Sequence, residues 1–82
     1  MPRELAHPVV RRIVCTCTTA DEVLLWDWLL DHLDPARYRV ASTEMIRDGH
    51  ARRTEVAFTN ELDGHRFARW ALGRGFEIEE QA

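Results

Sequence analysis

The sequence has no lysine: all 11 of its basic residues are arginine, against 14 acidic residues. Arginine forms forked contacts with carboxylates and phosphates that lysine cannot form, although a genome of biased composition leaves the same pattern. The formal net charge of -3 argues against binding of polyanions by bulk positive charge. We therefore do not expect a general nucleic-acid-binding protein.

A long apolar run is also lacking. Without one, neither a signal peptide nor a membrane-spanning helix is predicted, and we expect a cytoplasmic protein in a reducing compartment. The sequence has two cysteines, Cys15 and Cys17, which stand two residues apart in a predicted strand. Strand neighbours at this spacing have parallel side chains and Cα atoms about 6.6 Å apart, so we do not expect a disulfide between them.

Motifs for catalysis and for cofactor binding are missing. The sequence contains no G-x-S-x-G, no phosphate-binding loop and no dinucleotide fingerprint. Its four histidines follow no metal-ligand spacing, because neither H-x-x-x-H nor C-x-x-C occurs. We therefore predict a protein that is not an enzyme and needs neither a cofactor nor a metal.

What is present is the material for one small domain. Of the 82 residues, 45% are apolar, which suffices for one core and leaves no room for a second. Residues 1–8 have two prolines and no periodicity, so we predict a flexible leader there and a single domain over residues 9–82. Alternating apolar and polar residues over Arg11–Thr18 predict a central strand.

The first helix is predicted from a capping-box pattern, in which Thr19 is followed three residues later by Glu22. It is expected to end at Asp34, because the next residue is proline. Six apolar residues share a broad face of this helix that we expect to be buried, namely Val23, Leu25, Trp26, Leu29, Leu30 and Leu33.

Two strands, 37–47 and 50–59, flank an Asp-Gly pair and predict a hairpin. A two-residue loop would divide the apolar residues between both faces of the hairpin. A three-residue loop, Arg47–Gly49 with Gly49 in the left-handed conformation, keeps them on one face. This loop pairs Tyr38 with Phe58, Val40 with Val56, Ser42 with Thr54 and Glu44 with Arg52.

A second helix is expected to begin after Asn60, as its N-cap, and to stop at Gly73 and Gly75. Phe76 and Ile78 then alternate with glutamates in a final strand. The order β-α-β-β-α-β predicts an α+β protein of the ferredoxin-like, split β-α-β type, with a four-stranded antiparallel sheet and two helices on one face. Strands one and three are expected in the middle of that sheet. Such a fold serves many activities, so it predicts no chemistry.

Two family resemblances suggest alternative functions. The stretch Ala51–Phe58 is similar to the third strand of the RNA recognition motif through its buried Val56 and Phe58, which implies nucleic-acid binding on the open sheet face. At the two outward positions where that family has aromatic residues, this chain has Arg53 and Glu55. The sequence Cys15-Thr16-Cys17 is superficially similar to the metal site of copper chaperones, which implies a metal carrier, although that family uses a C-x-x-C spacing.

The function we predict is protein binding, because Leu24 and Trp28 lie one turn apart on the polar side of the first helix, beside Asp27 and Asp31. A tryptophan ringed by carboxylates suits a larger protein that offers an arginine-lined pocket. We expect the chain to act as a regulator, inhibitor or adaptor of that partner.

Two features of the sequence qualify this prediction. Arg39 and Arg53 form a second candidate surface in a segment that is as basic as the first helix is acidic, so two copies can also pair as a homodimer. The alternative for Trp28 is that the leader covers it through Leu5, Val9 or Val10.

Overall fold

The computed structural model describes residues 7–81, so the predicted leader lies outside the described residues except for its last two positions. The helices and strands are β1 (Arg11–Thr18), α1 (Glu22–His32), β2 (Tyr38–Ile46), β3 (Ala51–Phe58), α2 (Glu61–Gly73) and β4 (Glu77–Gln81). The four strands form one antiparallel sheet in the order β2-β3-β1-β4. The α+β class and the central position of β1 and β3 are confirmed. Within the described part of the chain, no helix is long and apolar enough to cross a membrane.

One sheet face carries the core. The alternating residues of β1 that were predicted to point inward belong to the same buried cluster as Val56 and Phe58 of β3. Both helices contribute to this cluster, α1 through its leucines and α2 through Phe67 and Ala71. Because residues of both helices meet the same set of strand positions, both helices cover the same sheet face. Val14, on the opposite face of β1, is also buried, with 2% exposure.

The hairpin between β2 and β3 follows the predicted register only in part. Tyr38 pairs with Phe58 and Val40 with Val56, as expected. A β-bulge then shifts the register, so that Ser42 pairs with Glu55 and Glu44 with Arg53, and the two pairings predicted for this half are wrong. The bulge inserts one extra residue into β2, which lets the apolar pairs stay on one face while the loop grows by one residue.

The loop of the hairpin therefore has four residues, 47–50, rather than three, and Ile46 pairs with Ala51 at its base. Gly49 has a positive φ of 86°, as predicted. Arg47 and Asp48 have positive φ angles as well, of 52° and 54°. Three successive residues in the left-handed region make this turn conformationally costly for its two non-glycine members.

The first helix begins differently from the capping-box prediction. The side chain that caps the turn before α1 is Thr18, whose Oγ1 accepts a hydrogen bond from the backbone N–H of Asp21 at 3.1 Å. Thr19 instead donates its hydroxyl to the carbonyl of Gly49, at 2.6 Å. The Thr19 hydroxyl therefore joins the start of α1 to the hairpin loop, and the cap moves one residue upstream.

The boundaries of α2 agree with the sequence. Asn60 accepts a hydrogen bond from the backbone N–H of Asp63 at 3.1 Å, as expected of an N-cap. The helix ends at Gly73, and Gly75 adopts a φ of 83°. Only a residue without Cβ adopts this conformation without strain. The chain then enters β4, which runs beside β1.

Candidate protein-binding surface

The structure turns α1 differently from the helical wheel of the sequence. Leu25 and Leu29 are completely buried, as predicted, but Val23 and Leu30, also predicted to be buried, are 56% and 64% exposed. Leu24 and Trp28, predicted to face solvent, are half-buried. The predicted exposure of Leu24 and Trp28 is therefore wrong, while their predicted role in partner binding stays a prediction.

Trp28 leaves the solvent side of α1 because α2 supplies an aromatic surface for it. Its ring packs against Trp70 and Phe67, with ring centroids 5.2 and 5.9 Å away, and stacks on His32 at 5.0 Å. The predicted alternative, in which the leader covers Trp28, involves Leu5, which lies outside the described residues. Of the other two residues named for that alternative, Val9 is half-buried and Val10 is 48% exposed.

The true outer surface of α1 combines apolar and acidic side chains. Val23 and Leu30 stand seven residues apart, which places them on the same side two turns from each other. Asp27 and Asp31 are exposed between and beside them. Neither carboxylate has an ion-pair partner among residues 7–81. We refer to Val23, Asp27, Leu30 and Asp31 as the acidic helix face.

The outer surface of α2 has the opposite charge. Leu62 and Leu72 are 63% and 60% exposed, and the exposed Arg66 and Arg69 lie between them. In the described structure these two guanidinium groups take part in no ion pair. We refer to Leu62, Arg66, Arg69 and Leu72 as the basic helix face. Sequence reasoning missed it, although these residues recur at helical spacing and are not needed for the core.

Two ion pairs hold the first turns of the helices, one to β3 and one to the turn before β2. Glu22 at the start of α1 contacts Arg52 of β3 at 2.6 Å, and both side chains are about three-quarters buried. Asp63 in the first turn of α2 is buried and contacts Arg37 at 3.0 Å. Since each pair anchors the first turn of a helix, the outer faces of both helices are held in one orientation.

A groove adjoins the acidic helix face. It lies between the end of α1 and the edge strand β2, has a volume of about 270 Å³, and is lined by Leu30, Pro35, Tyr38, Arg39 and Val40. Arg39, a residue predicted to bind a partner, is half-buried here and has no ion-pair partner in the described chain. The groove extends the apolar surface that begins at Leu30.

The open face of the sheet is a network of ion pairs. Arg53, the other predicted residue of that second surface, contacts Glu44 of β2 at 3.4 Å and Glu79 of β4 at 3.3 Å. Arg12 contacts Glu55 at 3.7 Å. Carboxylates thus neutralise Arg12 and Arg53, two of the arginines that a nucleic acid would contact on this face. Arg39, whose partner in β3 is Ala57, lies on the same sheet face as Arg53 by strand alternation, but at the β2 edge, and it takes part in none of these ion pairs.

A second cleft lies at the end of β1, with a volume of about 380 Å³. Its charged residues are of both signs, since the arginines Arg47 and Arg74 and the carboxylates of Asp21 and Glu77 all line it. Arg47 and Glu77 contact each other at 3.2 Å. The cleft therefore offers no concentrated charge of one sign to a ligand.

Both cysteines are free and buried. Burial, and in second place the neighbouring Cys17, raises the pKa of Cys15 to about 12. Burial also raises the pKa of Cys17, assisted by the negative charges of Asp21 and Glu22. A protonated thiol is a poor nucleophile and a poor metal ligand. No group of three or more potential metal-ligating side chains occurs within residues 7–81.

The chain matches no family model, and comparisons with curated proteins and with solved structures likewise give no match.

Proposed function

We propose that the chain is a small, non-enzymatic protein-binding module that acts as a regulator, inhibitor or adaptor of a larger protein. The element order, the strand order β2-β3-β1-β4 and the position of both helices on one sheet face support a ferredoxin-like arrangement. Free buried cysteines fit a reducing compartment, which supports a cytoplasmic location.

The exposure of Val23 and Leu30 is the observation that carries this proposal. A helix that covers a sheet normally turns its polar side to water. Here two large apolar side chains, 56% and 64% exposed, occupy that side next to carboxylates that nothing in the described structure neutralises. An apolar patch bordered by unpaired charges is typical of a protein-docking surface.

The partner chemistry follows from that of the acidic helix face. Leu30 and the adjoining groove supply apolar contact at the centre, while Asp27 and Asp31 favour arginine or lysine around it. Charges at the border of an interface mainly accelerate association, and buried apolar contacts slow dissociation. Trp28 has an indirect role, because it supports α1 from the core side and does not anchor the partner.

The experiment is capture from an extract of the source cells on immobilised protein. We compare the natural chain, the variant Leu30→Ser with Asp31→Arg, and the control Arg74→Glu, whose side chain is exposed at the far end of α2. Proteins whose recovery falls at least tenfold with the α1 variant only are then purified and titrated against the chain. A partner that binds the natural chain and the control alike supports the proposal, and the lack of any such protein contradicts it.

A further inference from the structure

The exposed apolar residues are concentrated on the two helices. Six large hydrophobic side chains in the described structure are exposed, and four of these belong to the acidic and basic helix faces. The other two, Val10 and Met45, belong to neither helix. Both helices that cover the sheet therefore carry exposed apolar side chains on their outer side as well.

The charges on this surface are separated by helix. The acidic helix face carries Asp27 and Asp31, and the basic helix face carries Arg66 and Arg69. Elsewhere in the described chain, six arginines are engaged in seven ion pairs with carboxylates. These four charged residues form no ion pair, as is also true of Arg39, Arg74 and four other carboxylates of the described chain, and each of the two sets has the sign that the other lacks.

We propose that the partner of the acidic helix face is the basic helix face of a second copy of this chain, so that two copies form a symmetric dimer through their helix layers. This inference rests on the proposed function, because it takes the acidic helix face as a docking surface. The basic helix face has the chemistry that the acidic helix face requires, because exposed leucines flank its arginines. The dimer and any larger partner compete for the same face.

The arrangement of the helices permits a closed dimer. α1 follows β1 and α2 follows β3, and these two strands are antiparallel neighbours, so the helices return in opposite directions. A two-fold axis that lies between the helix layers of the two copies, parallel to the helices, places α1 of each copy against α2 of the other. The acidic-to-basic contact then occurs twice in one interface, and assembly stops at two copies.

Each contact satisfies both kinds of side chain at once. Val23 and Leu30 meet the leucines of the facing helix, which removes apolar surface from water. Asp27 and Asp31 meet Arg66 and Arg69, which can bind carboxylates through two nitrogens. Pairing of α1 with α1, or of α2 with α2, would place like charges opposite each other and is disfavoured.

The test uses two charge-reversal variants of the full chain. The all-basic variant carries Asp27→Arg and Asp31→Arg, and the all-acidic variant carries Arg66→Glu and Arg69→Glu. Sedimentation equilibrium from about 1 µM to about 1 mM, a range that covers weak dimers, gives the mass of each. Circular dichroism checks that both remain folded, and Arg74→Glu serves as the control for a change in net charge.

The natural chain and the control are expected to approach twice the 9.6 kDa of one chain. Each reversal variant alone is expected to dissociate at least tenfold more readily, since both contacts then join like charges. An equimolar mixture of the two variants is expected to form a heterodimer, because acidic again meets basic in both contacts. A third variant carrying all four changes is expected to dimerise by itself.

Two results would overturn the dimer. One is a natural chain that stays monomeric up to about 1 mM, and the other is a folded pair of variants that fails to associate when mixed. The proposed function is contradicted by a separate result, namely that no larger protein is captured whose binding requires Leu30 and Asp31. The all-acidic variant distinguishes the two directly, because it cannot dimerise and keeps the acidic helix face for a larger partner.

Discussion

The indole of Trp28 stacks on that of Trp70, with ring centroids 5.2 Å apart and planes inclined by 17°. This contact joins α1 to α2 and determines which side of α1 faces the core. Because Trp28 is held against α2, Val23 and Leu30 are turned toward solvent. The aromatic contact therefore places the acidic helix face where another protein can reach it.

Replacing Trp28 with alanine is expected to lower the free energy of unfolding by about 2–3 kcal/mol, because the ring loses contact with Phe67 and Trp70. For a domain of this size, that corresponds to a fall in Tm of about 10 °C or more. Thermal unfolding followed by circular dichroism measures the change. Val23→Ala, at an exposed position, should stay within about 0.5 kcal/mol of the natural chain. Equal stability of the two variants would contradict the assigned orientation of α1.

Two glutamates in ion pairs should differ in their importance for stability. Glu22→Gln removes the partner of Arg52 in a pair about three-quarters buried, and we expect a loss of about 1–2 kcal/mol. Glu79→Gln removes one partner of Arg53 on the open face, where the carboxylate side chain is 66% exposed, and should cost less than about 0.5 kcal/mol. Urea unfolding of both variants provides the comparison. A larger loss for Glu79→Gln would show that the buried pair does not anchor α1.

Stability should decrease in alkaline solution because of the cysteines. Burial raises the pKa of Cys15 from 9.0 to about 12, and that of Cys17 is raised too. Between these values the unfolded chain releases the thiol protons and the folded chain keeps them, so unfolding becomes easier as the pH rises from about 9 toward 12. Urea unfolding at a series of pH values measures the slope. Cys15→Ala should make the slope shallower; an unchanged slope would mean that Cys15 ionises equally in both states.

The cap of α2 gives a prediction with a built-in control. Asn60→Ala removes the oxygen that accepts a hydrogen bond from the Asp63 N–H, and we expect a loss of about 1 kcal/mol. Asn60→Asp keeps an acceptor at the same place and should retain most of the stability. The free energy of unfolding in urea distinguishes them. If alanine were tolerated as well as aspartate, the side-chain cap would contribute nothing.

The sequence was sufficient to predict the bounds of an element where a single periodic pattern of apolar residues dominated. β1 has the predicted bounds, and α2 begins and ends at the predicted residues, because polar residues surround a narrow apolar stripe there. The register of the hairpin was predictable only near Tyr38 and Val40. The β-bulge beyond them depends on how the loop and the sheet fit together, which alternation of side chains does not encode.

For α1, the sequence predicted the exposed carboxylates correctly but not the exposed apolar residues. Apolar side chains occur on nearly every side of α1, so a helical wheel does not determine whether Trp28 or Leu30 faces solvent. The choice depends on Trp70, which is 42 positions away along the chain and packs beside Trp28. Asp27 and Asp31 were predicted correctly as exposed because charged residues have few other places in a small domain.

Carbene footprinting of the full chain tests most directly whether the acidic helix face is a docking surface. The reagent labels accessible side chains, and Val23, Leu30 and Met45 have similar exposures of 56%, 64% and 56% in the isolated chain. In an extract of the source cells, we predict that labelling of Val23 and Leu30 falls several-fold relative to dilute purified protein, while labelling of Met45 is unchanged. Equal labelling of all three in both conditions would contradict the account.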